Sequence, residues 1–126
     1  MNKNVTAVIA DDVFEMRTLL SKSLKVLACE VLATANDGPS ALVEVKKVKP
    51  DMVFLDIDMP GLTGLQVLDK LKSENIDVFK VIVSGSNTVE NVKEAIAHGA
   101  NGFVVKPYSI SKIKQIMDKY HASIGS

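Results

Sequence analysis

A small set of residues in this chain carries more chemistry than its surroundings need. Asp11-Asp12 closes a β-rich run, Val5 to Ala10. Asp56 closes a second apolar run, Met52-Val53-Phe54-Leu55, and Asp58 follows before Pro60, Gly61 and Gly64 force a loop. Ser84 closes a third run, Val78 to Val83, and Lys106-Pro107 closes a fourth, Gly102 to Val105. An unpaired carboxylate buried within an apolar strand is costly, so each group belongs at a strand's mouth. Singly, each has an ordinary use as a helix cap, a turn former or a solvated charge. Jointly, if the strands run parallel, carboxylates, a hydroxyl and an amine share one rim.

Such carboxylates raise one another's pKa and call for a cation. Oxygen-only donors select a hard divalent ion. Carboxylates with waters and a phosphate oxygen describe a Mg²⁺ site, with Mn²⁺ as a substitute. A carboxylate is also a nucleophile toward phosphorus, giving an acyl phosphate. The transferring phosphoryl group then needs cations around its oxygens, a role open to the metal and to a lysine.

The elements that must position these residues follow from apolar spacing. Met16, Leu19, Leu20, Leu24 and Leu27 predict an amphipathic helix from Val13 to about Ala28. Glu30 to Ala35 reads as a strand. Asn36 to Ser40 is a turn leading into a helix striped by Ala41, Leu42, Val45 and Val48, which ends before Pro50. Leu65, Leu68 and Leu71 stripe a third helix. Asn87 or Thr88 caps a fourth, with Val92, Ala95 and Ile96 inward and Gly99 as its stop. Ser109 or Ser111 starts the last, with Ile110, Ile113, Met117 and Tyr120 on one face. Alternating strands and helices predict an α/β fold: a parallel sheet with right-handed crossovers and helices on both faces. In such sheets ligands bind beyond the strands' C-terminal ends. The alternation does not set the strand order.

Composition bounds the rest. The 126 residues suit one domain and one core. Fifteen basic and fifteen acidic residues cancel, which argues against a nucleic-acid-binding module. No apolar run reaches membrane-spanning length, so the expected location is cytoplasmic, away from any membrane. Cys29 is the only cysteine, which excludes an internal disulfide and a multi-cysteine metal site.

In this ordered combination the chain resembles the receiver domain of two-component response regulators. The pieces are Asp11-Asp12, Asp56-Ile57-Asp58-Met59-Pro60-Gly61 with Gly64, Ser84, and Phe103-Val104-Val105-Lys106-Pro107. The likeness runs from Val5 to about His121, a core of about 5–121 within a single 1–126 receiver domain with no output domain. It implies a flavodoxin-like (βα)5 three-layer sandwich with strand order 2-1-3-4-5. It implies Asp56 as phospho-acceptor, and Mg²⁺ held by Asp12, Asp56 and the backbone carbonyl of Asp58, with Asp11 shaping the metal site mostly through water. Lys106 would contact the phosphoryl oxygens, Ser84 would donate its hydroxyl to them, and Phe103 matches an aromatic switch position. A cis Lys106-Pro107 peptide is also implied. The implied phosphodonor is a histidine kinase or histidine phosphotransfer protein. The resemblance also implies an output through a surface of the fourth helix, fifth strand and last helix to a downstream protein. A monomer or a phosphorylation-dependent weak dimer is expected.

The alternative is an enzyme. MVFLDIDMP also resembles the first motif of haloacid dehalogenase-like phosphohydrolases, which use an aspartyl phosphate and Mg²⁺. There the Asp-x-Asp strand comes first and the acidic pair last, whereas here Asp11-Asp12 precedes Asp56. A flavin or nucleotide module on the same fold is disfavoured. Ser84 to Thr88 matches neither glycine-rich phosphate-binding pattern, and an acidic rim repels phosphate without a metal.

Overall fold

The computed structural model describes residues 4–86 and 88–125. The chain runs β1 (Val5–Ala10), α1 (Phe14–Val26), β2 (Cys29–Ala35), α2 (Gly38–Val48), β3 (Met52–Asp56), α3 (Gly64–Ser73), β4 (Phe79–Ser84), α4 (Val89–Ala97), β5 (Gly102–Val105) and α5 (Ile110–Ser123). All strand pairs are parallel, in the order β2-β1-β3-β4-β5. This is the flavodoxin-like order that the resemblance implied. In register, Ala10 lies opposite Leu55, Asp56 opposite Val83 and Ser84 opposite Val105. The strand mouths bearing the polar residues are therefore level along one sheet edge.

Strand side chains alternate between faces, so the core splits in two. Ile9, Phe54, Val81 and Val104 pack beneath α1 and α5, while Val8, Val53, Leu55 and Ile82 pack beneath α2, α3 and α4. The middle strand β3 is buried along its whole length. Burying a large apolar side chain fully contributes about 1.5–3 kcal/mol, so β3 is a firm base for the carboxylate that ends it.

The helix ends explain themselves locally. Asp37 caps α2 by accepting the Ser40 N–H at 2.7 Å, with Pro39 in the first turn. Thr63 and Gln66 form a reciprocal capping box on α3. Thr88 caps α4 and Ser109, rather than Ser111, caps α5. Asn87 lies outside the described residues. α1 has no side-chain cap on its own N-cap residue, Val13; the Asp11 carboxylate accepts the Val13 N–H instead, at 2.9 Å. It stops at Val26, short of the expected Ala28, because Ala28 is left-handed at φ 61°.

Three apolar positions expected on inward stripes face out. Ile96, Ile110 and Leu19 are 61%, 45% and 45% exposed. Each residue turns a helix by about 100°. α4 meets the sheet through Ala95, so Ile96 falls off the contact line, and Val89 is open too. At its other end α4 is tied to α3, where His98 Nδ1 lies 2.6 Å from Asp69 Oδ1.

Candidate functional site

Among the described residues, the buried polar or charged side chains are Asp11, Asp56 and Ser84, at 5%, 6% and 4% exposure. All three are strand-mouth residues singled out above. Asp11 leaves β1 with its N–H on the Ala35 carbonyl at 3.1 Å. Asp12, next along, is exposed. Asp11, Asp12 and Asp56 each place a carboxylate oxygen within 4.8 Å of the other two. Lys106 Nζ reaches in to 2.8 Å from Asp11 and 3.5 Å from Asp56. Asp11 thus engages the lysine directly, more closely than Asp56 does.

The electrostatics follow. Burial, then the charge of Asp11, pushes the Asp56 carboxyl up to about 6, against the opposing pull of Lys106 and the Asp58 backbone N–H. Burial would lower the Lys106 amine, but its contacts with Asp11 and Asp56 carry it above its ordinary value. Burial, with Asp11 nearby, lifts Tyr108 to about 12. One lysine does not balance three carboxylates, so a divalent cation suits the excess charge. Oxygens on opposite sides of a Mg²⁺ ion stand about 4.2 Å apart, given bonds of about 2.1 Å, and the observed spread within 4.8 Å is compatible with that shell. The donor set fits a hard divalent ion.

The loop after Asp56 is held by backbone. Ile57 N–H donates to the Val83 carbonyl at 3.2 Å and Gly64 N–H to the Ile57 carbonyl at 3.0 Å. A Cβ on Gly64 would stand 2.5 Å from the Asp56 carbonyl oxygen, so this approach requires glycine. Asp58 is exposed on the rim. Ser84 is tied to β5 by the Lys106 N–H on its carbonyl at 2.7 Å, and the Lys106–Pro107 peptide is cis. Phe103 is half-buried against the core on the α2–α4 side.

The structure thus brings Asp11, Asp12, Asp56 and Lys106 into one cluster, with Ser84 on a neighbouring strand mouth and Asp58 at the rim. Sequence reasoning passed over three further residues. Arg17 Nη1 donates to the Asp11 carbonyl at 2.6 Å. The Ser86 N–H donates to Ser84 Oγ at 3.2 Å, and Asn91 Nδ2 donates to Ser86 Oγ at 2.9 Å. Asn91, three residues past the Thr88 cap, was the one legible hint, since polar side chains in first helical turns often serve local bonds.

The family model for the response regulator receiver domain matches residues 7–118. The chain belongs to the response regulator receiver domain family. The chemotaxis protein CheY of Listeria monocytogenes is 33% identical over 111 residues, 88% of this chain and 93% of that protein. CheY-3 of Vibrio cholerae is 32% identical over 121 residues, 94% of this chain and 93% of that one. The signal receiver domain of the response regulator NarL from Mycobacterium tuberculosis superposes with a TM-score of 0.90 at 29% identity, covering 95% of this chain and 98% of that one. Receiver domains serve two-component signalling, accept a phosphoryl group and bind Mg²⁺ in an acidic pocket. The phosphohydrolase alternative finds no support in these matches. Among the described residues, no helix of this receiver is long and apolar enough to cross a membrane.

Proposed function

We propose that this receiver accepts a phosphoryl group on Asp56 from a phosphohistidine donor, a histidine kinase or phosphotransfer protein, and signals through a partner protein. The observation that carries the assignment is the setting of Asp56. It is a buried carboxylate at the end of the central strand, facing two further carboxylates and a lysine 3.5 Å away. In the metal-free site burial and Asp11 lift Asp56 to about 6, and a cation bound at the rim would favour the ionised carboxylate that attacks phosphorus. Its oxygen forms the new P–O bond as the P–N bond of the donor breaks, and the imidazole departs with the electron pair. Asp11, Asp12 and the Asp58 carbonyl complete the metal-binding rim with Asp56. A Mg²⁺ ion there would neutralise charge on the transferring group. Lys106 swings from Asp11 to the phosphoryl oxygens, and Ser84 donates its hydroxyl to one of them.

The receiver's output is read on α4, β5 and α5, where Val89, Ile96 and Ile110 are already exposed. Similarity to the CheY relatives supports an output through protein contact, in a monomer or a weak phosphorylation-dependent dimer. The test is labelling from radioactive acetyl phosphate or a phosphorylated histidine protein, with MgCl₂ or with EDTA. Wild type should take up label only with the metal, and Asp56→Asn should take up none. Equal labelling of the two proteins would overturn the assignment.

A further inference from the structure

We infer that Arg17 is a positioning residue for the metal-binding rim. The inference rests on the proposed Mg²⁺-dependent function and extends it to a residue outside the acidic cluster. Arg17 stands in the opening turns of α1, where its N–H bonds to the Val13 carbonyl at 3.1 Å. Its side chain turns back along the chain, and Nη1 donates to the Asp11 carbonyl at 2.6 Å. That carbonyl belongs to the peptide unit joining Asp11 to Asp12, and peptide units are rigid planes. Fixing the oxygen fixes the plane, and with it the starting direction of Asp12.

Asp12 needs such a hold. Asp11 is held at every polar group: its N–H by Ala35, one carboxylate oxygen by the Val13 N–H, the other by Lys106, and its carbonyl by Arg17. Asp12 is exposed, and among the described residues no hydrogen bond from the protein reaches its carboxylate. Its placement over the rim therefore depends on the backbone that Arg17 anchors. The guanidinium is steadied in turn by the Phe14 ring, whose centroid lies 5.6 Å from Cζ, a cation–π distance. Phe14 is 67% exposed, an unusual position for a large ring that this contact accounts for. On its other side Arg17 borders an open groove of about 550 Å³ with Asn36, Ser40 and Val43. It has room to extend into water and instead folds onto Asp11.

Positioning and bare charge predict opposite signs. A cation beside the rim repels Mg²⁺, so if charge alone mattered, removing Arg17 would tighten the metal. If Arg17 positions the Asp11-Asp12 peptide, removing it weakens the metal. The experiment is a MgCl₂ titration followed by amide NMR on wild type, Arg17→Met and Arg17→Lys, each first shown to be folded by its metal-free melting curve. Arg17→Met should bind Mg²⁺ about tenfold more weakly, the low end for residues that orient metal ligands. Arg17→Lys, which keeps the charge and a donor but loses the planar fork, should show a smaller loss of the same sign. Saturating MgCl₂ should restore most of the phosphorylation rate of Arg17→Met. Unchanged or tighter Mg²⁺ binding in Arg17→Met overturns the inference. If that variant does not fold, wild-type affinity in Arg17→Lys overturns it. Failure of wild type itself to bind Mg²⁺ would bring down the proposed function as well, which separates the two conclusions.

Discussion

Ser84 and Asn91 are joined through a single intermediary: Ser86 gives its N–H to Ser84 Oγ at 3.2 Å and receives the Asn91 side-chain N–H on its own Oγ at 2.9 Å. The hydroxyl that would turn toward a phosphoryl group therefore already serves as an acceptor for the loop entering α4. Recruiting Ser84 disturbs a bond that reaches the first turn of that helix.

Asn91→Ala should loosen the start of α4 before any phosphorylation. A hydrogen bond of this kind contributes about 1 kcal/mol, so the amides of α4's opening turns should exchange about fivefold faster in hydrogen–deuterium exchange. Exchange at wild-type rates would mean that the Thr88 cap alone holds the helix.

Asp56→Asn should stabilise the metal-free protein at neutral pH. Burial and the charge of Asp11 lift the folded carboxyl to about 6 from its ordinary 3.8, so the fold holds a proton in that window that the unfolded chain has released. Stability from this group is fully present below 3.8 and lost as pH rises through about 6. The shift is an upper bound of roughly 3 kcal/mol at pH 7, reduced by water at the open rim. Asparagine lacks the titration. Urea melts should show the two proteins converging near pH 4 and separating above pH 6, with the variant more stable; no separation would count against the raised pKa.

Mg²⁺ should raise the melting temperature, and more at pH 7.5 than at pH 5, because it competes with the proton on Asp56. An ion that binds only the folded chain adds roughly 1–3 kcal/mol at useful excess. The same shift from Na⁺ at matched ionic strength would mark it as screening.

Asp58→Asn should speed phosphorylation by acetyl phosphate. The exposed carboxylate sits two residues past Asp56, the proposed acceptor, where an anionic donor would approach. At about 7 Å its repulsion is roughly 0.5–1 kcal/mol in a medium between protein and water, a rate factor of about two to five. Added salt should narrow the gap. The chain has no tryptophan, so radiolabel or a phosphate-affinity gel is the readout. An unchanged or slower variant at low salt, with Mg²⁺ saturating, would rule the effect out.

Gly64→Ala should cost about 1–3 kcal/mol of stability, the usual penalty for overpacking. The added methyl meets the Asp56 carbonyl, so the Asp56 backbone must move. Labelling should slow beyond what the lost stability explains. A variant with wild-type melting and labelling would show that the loop yields freely.

The rim residues were legible because each one interrupts an apolar strand, and in a parallel sheet such interruptions fall along one edge. The strand order was not legible from alternation; it came with the family resemblance. Ile96 and Ile110 were misplaced because spacing marks an apolar arc without saying which part of it meets the sheet. α4 settles on the small Ala95 and leaves its larger neighbour outside. Arg17 left no trace for a different reason. Its partner is a carbonyl, which every residue possesses, so no residue type or spacing announces the bond. The Ser86–Asn91 contact is similar: two common polar residues become a link only once β4 and α4 are placed.

The hydrogen bond between His98 and Asp69 gives α4 a pivot. The helix is nine residues long, about 13 Å from end to end. One end is moored to α3, and the other is held by the Thr88 cap and the Asn91 side chain. If the Ser86–Asn91 link let go, a rod still held at His98 would swing rather than translate. A tilt of about 10° about His98 would carry the Val89 end roughly 2 Å while leaving the moored end nearly still. Val89 would travel farthest and Ile96 least, so a protein resting on both would feel a change of angle rather than a change of distance.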